Sequence, residues 1–205
     1  MKIPVVRKVL EANERSATDL QALFREHGLV VINLMSSPGA GKTALLERTL
    51  TDLQDDFHIG VVEGDLQTSN DAQRIADTGA AVVQINTEGA CHLSAGMVDA
   101  AVRQLPLDRL DVVFIENVGN LVCPAEFQLG EDLRVTVLSL PEGDDKPEKY
   151  PPMFAQSQAM ILNKLDLLPH LVFDLERAKK GARLLNKDLQ IFSLSARTGE
   201  GAGAW

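Results

Sequence analysis

The sequence has little cysteine, no excess of positive charge and no long apolar run, and each shortage excludes a class of protein. Two cysteines in 205 residues cannot build a disulfide framework, so we expect a cytoplasmic protein in a reducing compartment. A net charge of −9 leaves no basic stripe for a nucleic-acid backbone, so nucleic acid is not an expected partner. The apolar runs are far shorter than the roughly 20 residues of a membrane helix, and the N-terminal segment lacks the apolar core of a signal peptide. We therefore expect no membrane partner.

The remaining pattern predicts one α/β domain over residues 1–205. Apolar residues at helical spacing, followed by Gly28, predict an amphipathic N-terminal helix within residues 1–28. Helix-like segments then alternate with short apolar runs, which favours a mainly parallel sheet with helices on both faces. The runs are LVVINLM, HIGVVEG, AAVVQIN, DVVFIEN, RVTVLSL, AMILNK and LQIFSLS. Residues 139–156 contain four prolines and a charge cluster, and they predict an exposed, mobile loop.

A phosphate-binding loop follows the first predicted strand. In MSSPGAGKTALLERTL the glycines let backbone N–H groups approach phosphate oxygens, Lys42 can reach the β and γ phosphates, and Thr43 can place its hydroxyl on Mg²⁺. Ser36 occupies the position where such loops usually begin with glycine. The predicted contacts to the nucleotide are Gly39, Ala40, Gly41, Lys42, Thr43 and Ala44.

Acidic residues end two other predicted strands, as a nucleotide–Mg²⁺ site requires. Glu63 and Asp65 follow one strand, and Glu116 with Gly119 follows another. We assign Asp65 to Mg²⁺ or to the attacking water and Glu116 to a supporting position, so the predicted catalytic set is Lys42, Asp65 and Glu116. The backbone N–H of Gly119 is suited to sense the γ phosphate. Solvated acids at strand ends are the alternative interpretation.

Two later segments predict that the base is guanine. In NKLD, Asn163 and Lys164 precede Asp166, whose carboxylate can accept hydrogen bonds from N1 and the exocyclic amino group of guanine, a pattern that adenine lacks. In LSARTGEG, a backbone N–H at Ser195 or Ala196 can meet the guanine O6 atom. GTP and GDP are therefore the predicted nucleotides.

With these motifs in order, the sequence resembles the nickel-insertion GTPases of hydrogenase maturation, the HypB family, within the dimerising P-loop GTPases and ATPases. The resemblance runs from about residue 11 to residue 201. It rests on SSPGAGKT, EGDLQTSNDAQRI, GACHLSAGM, FIENVGNLVCPAEFQLGE, NKLD and SARTGEG. It implies a GTPase that dimerises with nucleotide bound and carries nickel or zinc at the subunit interface. The implied partners are a nickel-binding accessory maturation protein and the hydrogenase large-subunit precursor.

The resemblance assigns the metal ligands to Cys91, His92 and Cys123. Adjacent side chains diverge on a helix or a strand, so one ion held by Cys91 and His92 requires irregular backbone, which Gly89 permits. We expect a helix to begin near Cys91 and to lower the pKa of its thiol. If the segment holding Gly119 moves when the γ phosphate leaves, Cys123 moves with it, and hydrolysis alters the metal site. Two buried structural cysteines and a helix-start histidine are the alternative.

Two other functions stay open. The related urease-maturation GTPases present Cys-Pro-His together, whereas Cys-His and Cys-Pro lie 32 residues apart here. A nucleotide-switched docking module without metal delivery is the second alternative. No motif supplies an arginine finger or a positioned glutamine, so slow intrinsic hydrolysis is expected.

Unlike some family members, the sequence has no cysteine-rich N-terminal motif or histidine-rich tract. The family continues into a last helix beyond GEGAGAW, so that helix is expected to be shortened or missing.

Overall fold

A single parallel sheet forms the centre of the molecule. The structure, a computed structural model, describes residues 5–65 and 70–205. Within these ranges seven strands pair in the order β3-β2-β4-β1-β5-β6-β7, and every pair is parallel. The strands are β1 Val30–Ser36, β2 Ile59–Asp65, β3 Ala81–Asn86, β4 Val112–Glu116, β5 Leu133–Ser139, β6 Ala159–Asn163 and β7 Gln190–Ser193. All seven predicted strand segments are confirmed.

Helices cover both faces of the sheet, which confirms the predicted fold class. The helices are α1 Val5–Glu26, α2 Lys42–Leu53, α3 Asn70–Ala76, α4 Ala95–Val102, α5 Cys123–Glu126, α6 Lys146–Lys149, α7 Pro151–Ala155 and α8 Leu175–Leu185. Short 3-10 turns lie at Leu107–Arg109, Leu140–Glu142, Leu165–His170 and Ala202–Ala204. In the described part of the chain, no helix combines the length and apolar character needed to span a bilayer.

The predicted N-terminal helix is present as α1 and packs on the sheet. Leu20 and Phe24 of α1 are fully buried against Val98 and Val102 of α4 and against Ile115 of β4. Each such side chain contributes about 1.5–3 kcal/mol through burial. The amphipathic pattern of α1 is therefore explained by packing against the domain core.

The segment at residues 139–156 is largely helical, so the prediction that it is a loop is wrong. It forms a 3-10 turn followed by α6 and α7, and Met153 and Phe154 are fully buried. Pro147 and Pro151 stand in the first turns of α6 and α7, where a helix does not need the N–H that proline lacks. The prolines that suggested a loop therefore begin helices.

The strand order brings the predicted functional segments to one edge of the sheet. Strand β1 lies between β4 and β5, and β2 lies on the other side of β4. Because parallel strands all end at the same edge, the loops after β1, β2 and β4 converge there, as expected for a doubly wound sheet.

Candidate nucleotide and metal sites

The turn from β1 into α2 has the geometry of a phosphate-binding loop. Gly41 has φ +95°, a left-handed conformation that favours glycine. A Cβ atom there would lie 2.6 Å from Nδ2 of Asn163, so a larger residue would displace the NKLD segment. The next residue, Lys42, begins α2, and the N-terminal end of that helix faces the loop.

Lys42 is held in place from within the loop. Its side chain is nearly buried, and Nζ donates a hydrogen bond of 3.0 Å to Oγ of Ser36. Nζ also lies 4.0 Å from a carboxylate oxygen of Glu116. Ser36, at the position of the usual first glycine, thus orients the lysine that would reach the phosphates.

Two buried carboxylates face each other across neighbouring strands beside the loop. Glu63 of β2 pairs in register with Glu116 of β4, and the two residues are 2% and 4% exposed. Thr43 donates a hydrogen bond of 2.9 Å to Oε1 of Glu116. Burial, reinforced by the charge of Glu116, raises the pKa of Glu63 to about 8, and burial likewise raises the pKa of Glu116.

One oxygen of each carboxylate has no protein hydrogen-bond partner among the described residues, namely Oε2 of Glu63 and Oε2 of Glu116. Buried oxygens of this kind are costly unless a ligand or ion completes them. Together with the Thr43 hydroxyl they form a set of hard oxygen donors, which suits Mg²⁺.

These groups line one cleft of about 390 Å³. Its walls include the phosphate loop, Asp65 and the segment from Glu116 to Gly119. A Cβ atom on Gly119 would lie 2.8 Å from Cα of Pro38, so the residue-119 backbone touches the phosphate loop directly. The structure thus brings together the predicted phosphate loop, strand-end acids and γ-phosphate sensor.

The NKLD segment braces the phosphate loop from the other side. Nδ2 of Asn163 donates to the Ala40 carbonyl at 2.9 Å, and Nζ of Lys164 donates to the Gly39 carbonyl at 2.6 Å. Asp166 accepts a hydrogen bond of 2.6 Å from Oγ of Ser195, which fixes one carboxylate oxygen. The two predicted base-binding segments therefore meet.

The backbone N–H groups of Ser195 and Ala196 already have partners. Ser195 donates its N–H to the Glu200 carbonyl at 2.9 Å, and Ala196 donates to Oδ1 of Asn163 at 3.1 Å. The predicted contact between one of these N–H groups and guanine O6 therefore requires a hydrogen bond to be shared or exchanged. The Ser195 hydroxyl has a clearer role, because it orients Asp166.

Cys91, His92 and Cys123 lie together, and their candidate ligand atoms are all within 4.8 Å of one another. The two sulfur atoms are 3.1 Å apart, and Sγ of Cys91 is 3.6 Å from Nδ1 of His92. Atoms bound to one ion at about 2.0–2.3 Å lie about 3–4 Å apart, so this spacing fits a shared metal. Thiolate and imidazole ligands suit nickel and zinc.

The expected helix start at Cys91 is wrong. Helix α4 begins at Ala95, with Ser94 as its N-cap, and Cys91 and His92 lie in irregular backbone before it. Cys91 therefore does not stand at a helix N-terminus. The irregular backbone itself is as expected, because Gly89 has φ +96°, and it lets neighbouring side chains converge.

Neighbouring groups shift the pKa values of His92 and Cys123. The His92 ring lies 3.8 Å from the Phe127 ring, centroid to centroid, and burial lowers the pKa of His92 despite the opposing charge of Glu126. A neutral imidazole is the form that binds metal. A hydrogen bond between the two sulfur atoms raises the pKa of the Cys123 thiol, so metal binding there must release a proton.

Several cleft residues received no role from the sequence. Asp71 and Arg74 of α3 line the cleft, and Arg74 is held by Asp71 at 3.0 Å and by Glu47 of α2 at 2.5 Å. The sequence pattern identifies Glu63 only as a strand-end acid and assigns no role to Asn117. The sequence signal that could have identified Glu63 and Asn117 is an acid or amide at the end of an apolar strand.

Comparison with known proteins gives consistent relatives. The model of the CobW/HypB/UreG nucleotide-binding domain matches residues 30–193. The hydrogenase maturation factor HypB of Rhizobium leguminosarum bv. viciae is 52% identical over 203 residues, covering 99% of this chain and 68% of that protein. The crystal structure of HypB from Helicobacter pylori in complex with nickel superposes with a TM-score of 0.90 at 41% identity, covering 94% of this chain and 91% of that one. The crystal structure of HypB from Archaeoglobus fulgidus gives 0.89 at 36% identity, covering 95% of each chain.

Proposed function

The chain belongs to the CobW/HypB/UreG family, on its HypB branch, and from this membership we propose that it is a GTP-hydrolysing metallochaperone. It converts GTP to GDP and phosphate, and its nucleotide state controls the site formed by Cys91, His92 and Cys123. Nickel is the cargo, delivered during maturation of a hydrogenase, as the names of its relatives suggest.

The observation that carries this proposal is the short connection between the two sites. Gly119 lies against the phosphate loop, and Cys123 follows four residues later at the first position of α5. Only a few residues separate the backbone beside the γ phosphate from a candidate metal ligand. A movement of that backbone is therefore expected to displace Cys123.

On the nucleotide side, the roles follow from position. Main-chain N–H groups of the phosphate loop and Nζ of Lys42 bind the phosphates. Asp166 accepts from the guanine edge, and this selects GTP over ATP. Asp65 orients the attacking water or a metal-bound water.

The donor set beside the phosphate loop fits Mg²⁺. Thr43 and Asp65 would hold it, with Glu116 in a supporting position and the Glu63 oxygen that has no partner among the described residues beside them. Mg²⁺ neutralises charge on the β and γ phosphates when bound.

On the metal side, three ligands from one chain leave a tetrahedral site open. A second copy of the chain, related by a twofold axis, would share or complete it when GTP is bound. A nickel-binding accessory protein would then load the site, and the hydrogenase large-subunit precursor would receive the metal.

The test measures oligomeric state and bound nickel together. We expect nickel binding that depends on Cys91 and a shift toward dimer with a GTP analogue, measured by light scattering and metal analysis on the intact protein and on Cys91→Ala. Nickel affinity should also differ between the GTP-analogue and GDP states.

A monomer that binds no nickel or zinc in any nucleotide state would contradict metal delivery and leave a nucleotide-switched docking module. Loss of GTP binding in Lys42→Ala, with nickel binding retained, would support the assignment of separate nucleotide and metal sites.

A further inference from the structure

A buried network of hydrogen bonds joins the nucleotide cleft to the two loops that carry the candidate metal ligands, one with Cys91 and His92 and the other with Cys123. Asn117 lies where the branches of this network meet. We propose that Asn117 is a positioning residue that transmits the nucleotide state to the loop of Cys91 and His92 and to the loop of Cys123. This inference rests on the proposed function, because it concerns how the two sites communicate.

Asn117 stands where β4 ends and the γ-phosphate segment begins. It is 1% exposed and borders the nucleotide cleft. Its backbone N–H donates to the Leu34 carbonyl of β1 at 2.9 Å, so the residue is anchored to the strand that leads into the phosphate loop. Gly119, which touches that loop, is two residues further on.

The first branch of the network runs from the Asn117 side chain to the Cys91–His92 loop. Oδ1 of Asn117 accepts a hydrogen bond of 3.2 Å from the N–H of Leu93, the residue that follows His92. The Leu93 side chain is fully buried, so this part of the loop cannot move freely. A rotation of the Asn117 amide therefore acts on the backbone next to a metal ligand.

The second branch starts at Nδ2 of Asn117, which donates to Oδ1 of Asn33 at 3.4 Å. Nδ2 of Asn33 in turn donates to Oε1 of Glu131 at 3.2 Å. The same oxygen of Glu131 accepts from Nε of Arg134 at 2.6 Å, and both of these side chains are more than nine-tenths buried.

Arg134 completes the connection to the Cys123 loop. Its guanidinium donates to the carbonyls of Ala125 and Phe127, both at 3.1 Å. Ala125 is in α5, two residues beyond Cys123, and the Phe127 ring packs on His92. The second branch therefore ends at the backbone that carries the third metal ligand.

Burial is the reason that this network can transmit a change. Water cannot replace a lost partner in the core, so each buried group keeps its hydrogen bond or exchanges it for another one. A displacement of residues 117–119 thus has to be accommodated at Leu93 and Asn33.

Asn13 of α1 provides a matched control. Its Oδ1 accepts from the N–H of Ala95 at 2.8 Å, just after the Cys91–His92 loop, and its Nδ2 donates to the Gln128 carbonyl at 2.8 Å, just after the Cys123 helix. Asn13 is also buried, but it belongs to α1 and not to the walls of the nucleotide cleft. It therefore holds both metal loops without contacting the nucleotide edge.

The experiment measures Ni²⁺ affinity by competition with a chromophoric chelator, at saturating GTP analogue and at saturating GDP. The quantity compared is the ratio of the two affinities in wild type, Asn117→Ala and Asn13→Ala. We expect a wild-type ratio of about tenfold, within the usual range of coupling between sites. Asn117→Ala should bring the ratio close to one, whereas Asn13→Ala should weaken Ni²⁺ binding in both states and keep the ratio.

The outcomes separate the possible failures. A wild-type ratio of one would contradict the coupling in the proposed function, and the role of Asn117 with it. A wild-type ratio that differs from one and is retained in Asn117→Ala would overturn the role of Asn117 alone. If Asn117→Ala does not fold, Asn117→Ser gives the same comparison. Its hydroxyl can still accept from the N–H of Val118, as Oδ1 of Asn117 does at 3.0 Å, but is too short to reach the N–H of Leu93.

Discussion

Glu63 and Glu116 are two acids whose pKa values are raised by their positions in the core. Each ends an apolar strand, and the parallel register of β2 and β4 sets them side by side in the core. Desolvation at this position raises the pKa of both carboxyl groups, and the neighbouring charge of Glu116 adds to the rise at Glu63. Binding of Mg²⁺ beside these carboxyl groups would favour their ionised forms.

The raised pKa of Glu63 predicts a pH dependence of stability in the protein without nucleotide and divalent ions. The folded state keeps the Glu63 proton up to about pH 8, whereas an unfolded chain releases it near 4.5, so the free energy of unfolding falls as pH rises between these values. Glu63→Gln should reduce this fall by on the order of 2–4 kcal/mol. Urea unfolding from pH 5 to pH 9 measures it. Asp55→Asn, at an exposed acid, should leave the slope unchanged, and an equal slope in Glu63→Gln would contradict the prediction.

Asp166 predicts base specificity. With Asp166→Asn, the carboxylate that accepts from guanine becomes an amide, and GTP affinity should drop about 10–100-fold because a charge-assisted pair of hydrogen bonds is lost. Affinity for xanthosine triphosphate should rise, since the amide can donate to the extra carbonyl of that base. Fluorescent-nucleotide competition measures both, and Asp188→Asn, at an exposed position, serves as the control. Unaltered preference for GTP would remove Asp166 from the base site.

At the scale of secondary-structure elements, the residue at which a helix begins determines whether neighbouring side chains can bind one metal ion. The Cys91–His92 pair lies before α4 because Ser94 caps that helix, its side chain accepting from the N–H of Met97. The cap keeps Cys91 and His92 out of regular helix, where their side chains would diverge. Ser94 was thus the local sequence signal for the true helix start, four residues beyond the expected start near Cys91.

The folded segment at residues 139–156 gives a prediction about stability. Phe154 of α7 is fully buried, so Phe154→Ala should lower the free energy of unfolding by about 3–5 kcal/mol through loss of transfer free energy and a remaining cavity. Ala155→Ser, at the exposed neighbour, should change it by less than about 0.5 kcal/mol. Chemical denaturation measures both variants. A cost below 1 kcal/mol for Phe154→Ala would mean that the segment is not packed on the sheet.

At the scale of the whole molecule, two sites share one edge of one sheet. Residues 112–126 contribute strand β4 to the core, one wall to the nucleotide cleft and Cys123 to the candidate metal site. A ligand that binds the folded state at either site therefore stabilises the same domain.

Nickel should raise the stability of the folded protein. At a free Ni²⁺ concentration of 100 times Kd, the free energy of unfolding should rise by about 2.7 kcal/mol, because the ligand atoms converge only in the folded chain. Cys123→Ser should abolish most of this rise and leave stabilisation by GTP in place. Thermal unfolding with each ligand measures the two effects. Equal stabilisation of wild type and Cys123→Ser by nickel would place the metal elsewhere.

The sequence by itself determined the local features. The seven apolar runs became seven strands, Gly41 and Lys42 formed the phosphate loop, and α1 was readable from its spacing. These predictions succeeded because backbone conformation and burial on both faces depend on residue types within a few positions.

Only the tertiary structure decided which distant residues meet. The order of the strands sets Glu63 beside Glu116, and folding brings Cys91 to 3.1 Å from Cys123 across 32 residues of chain. The network through Asn117 likewise depends on three strands and two loops. Such contacts depend on how the whole sheet packs. The free energy of that packing comes from residues far apart in the chain, so it cannot be inferred from residue spacing in the sequence.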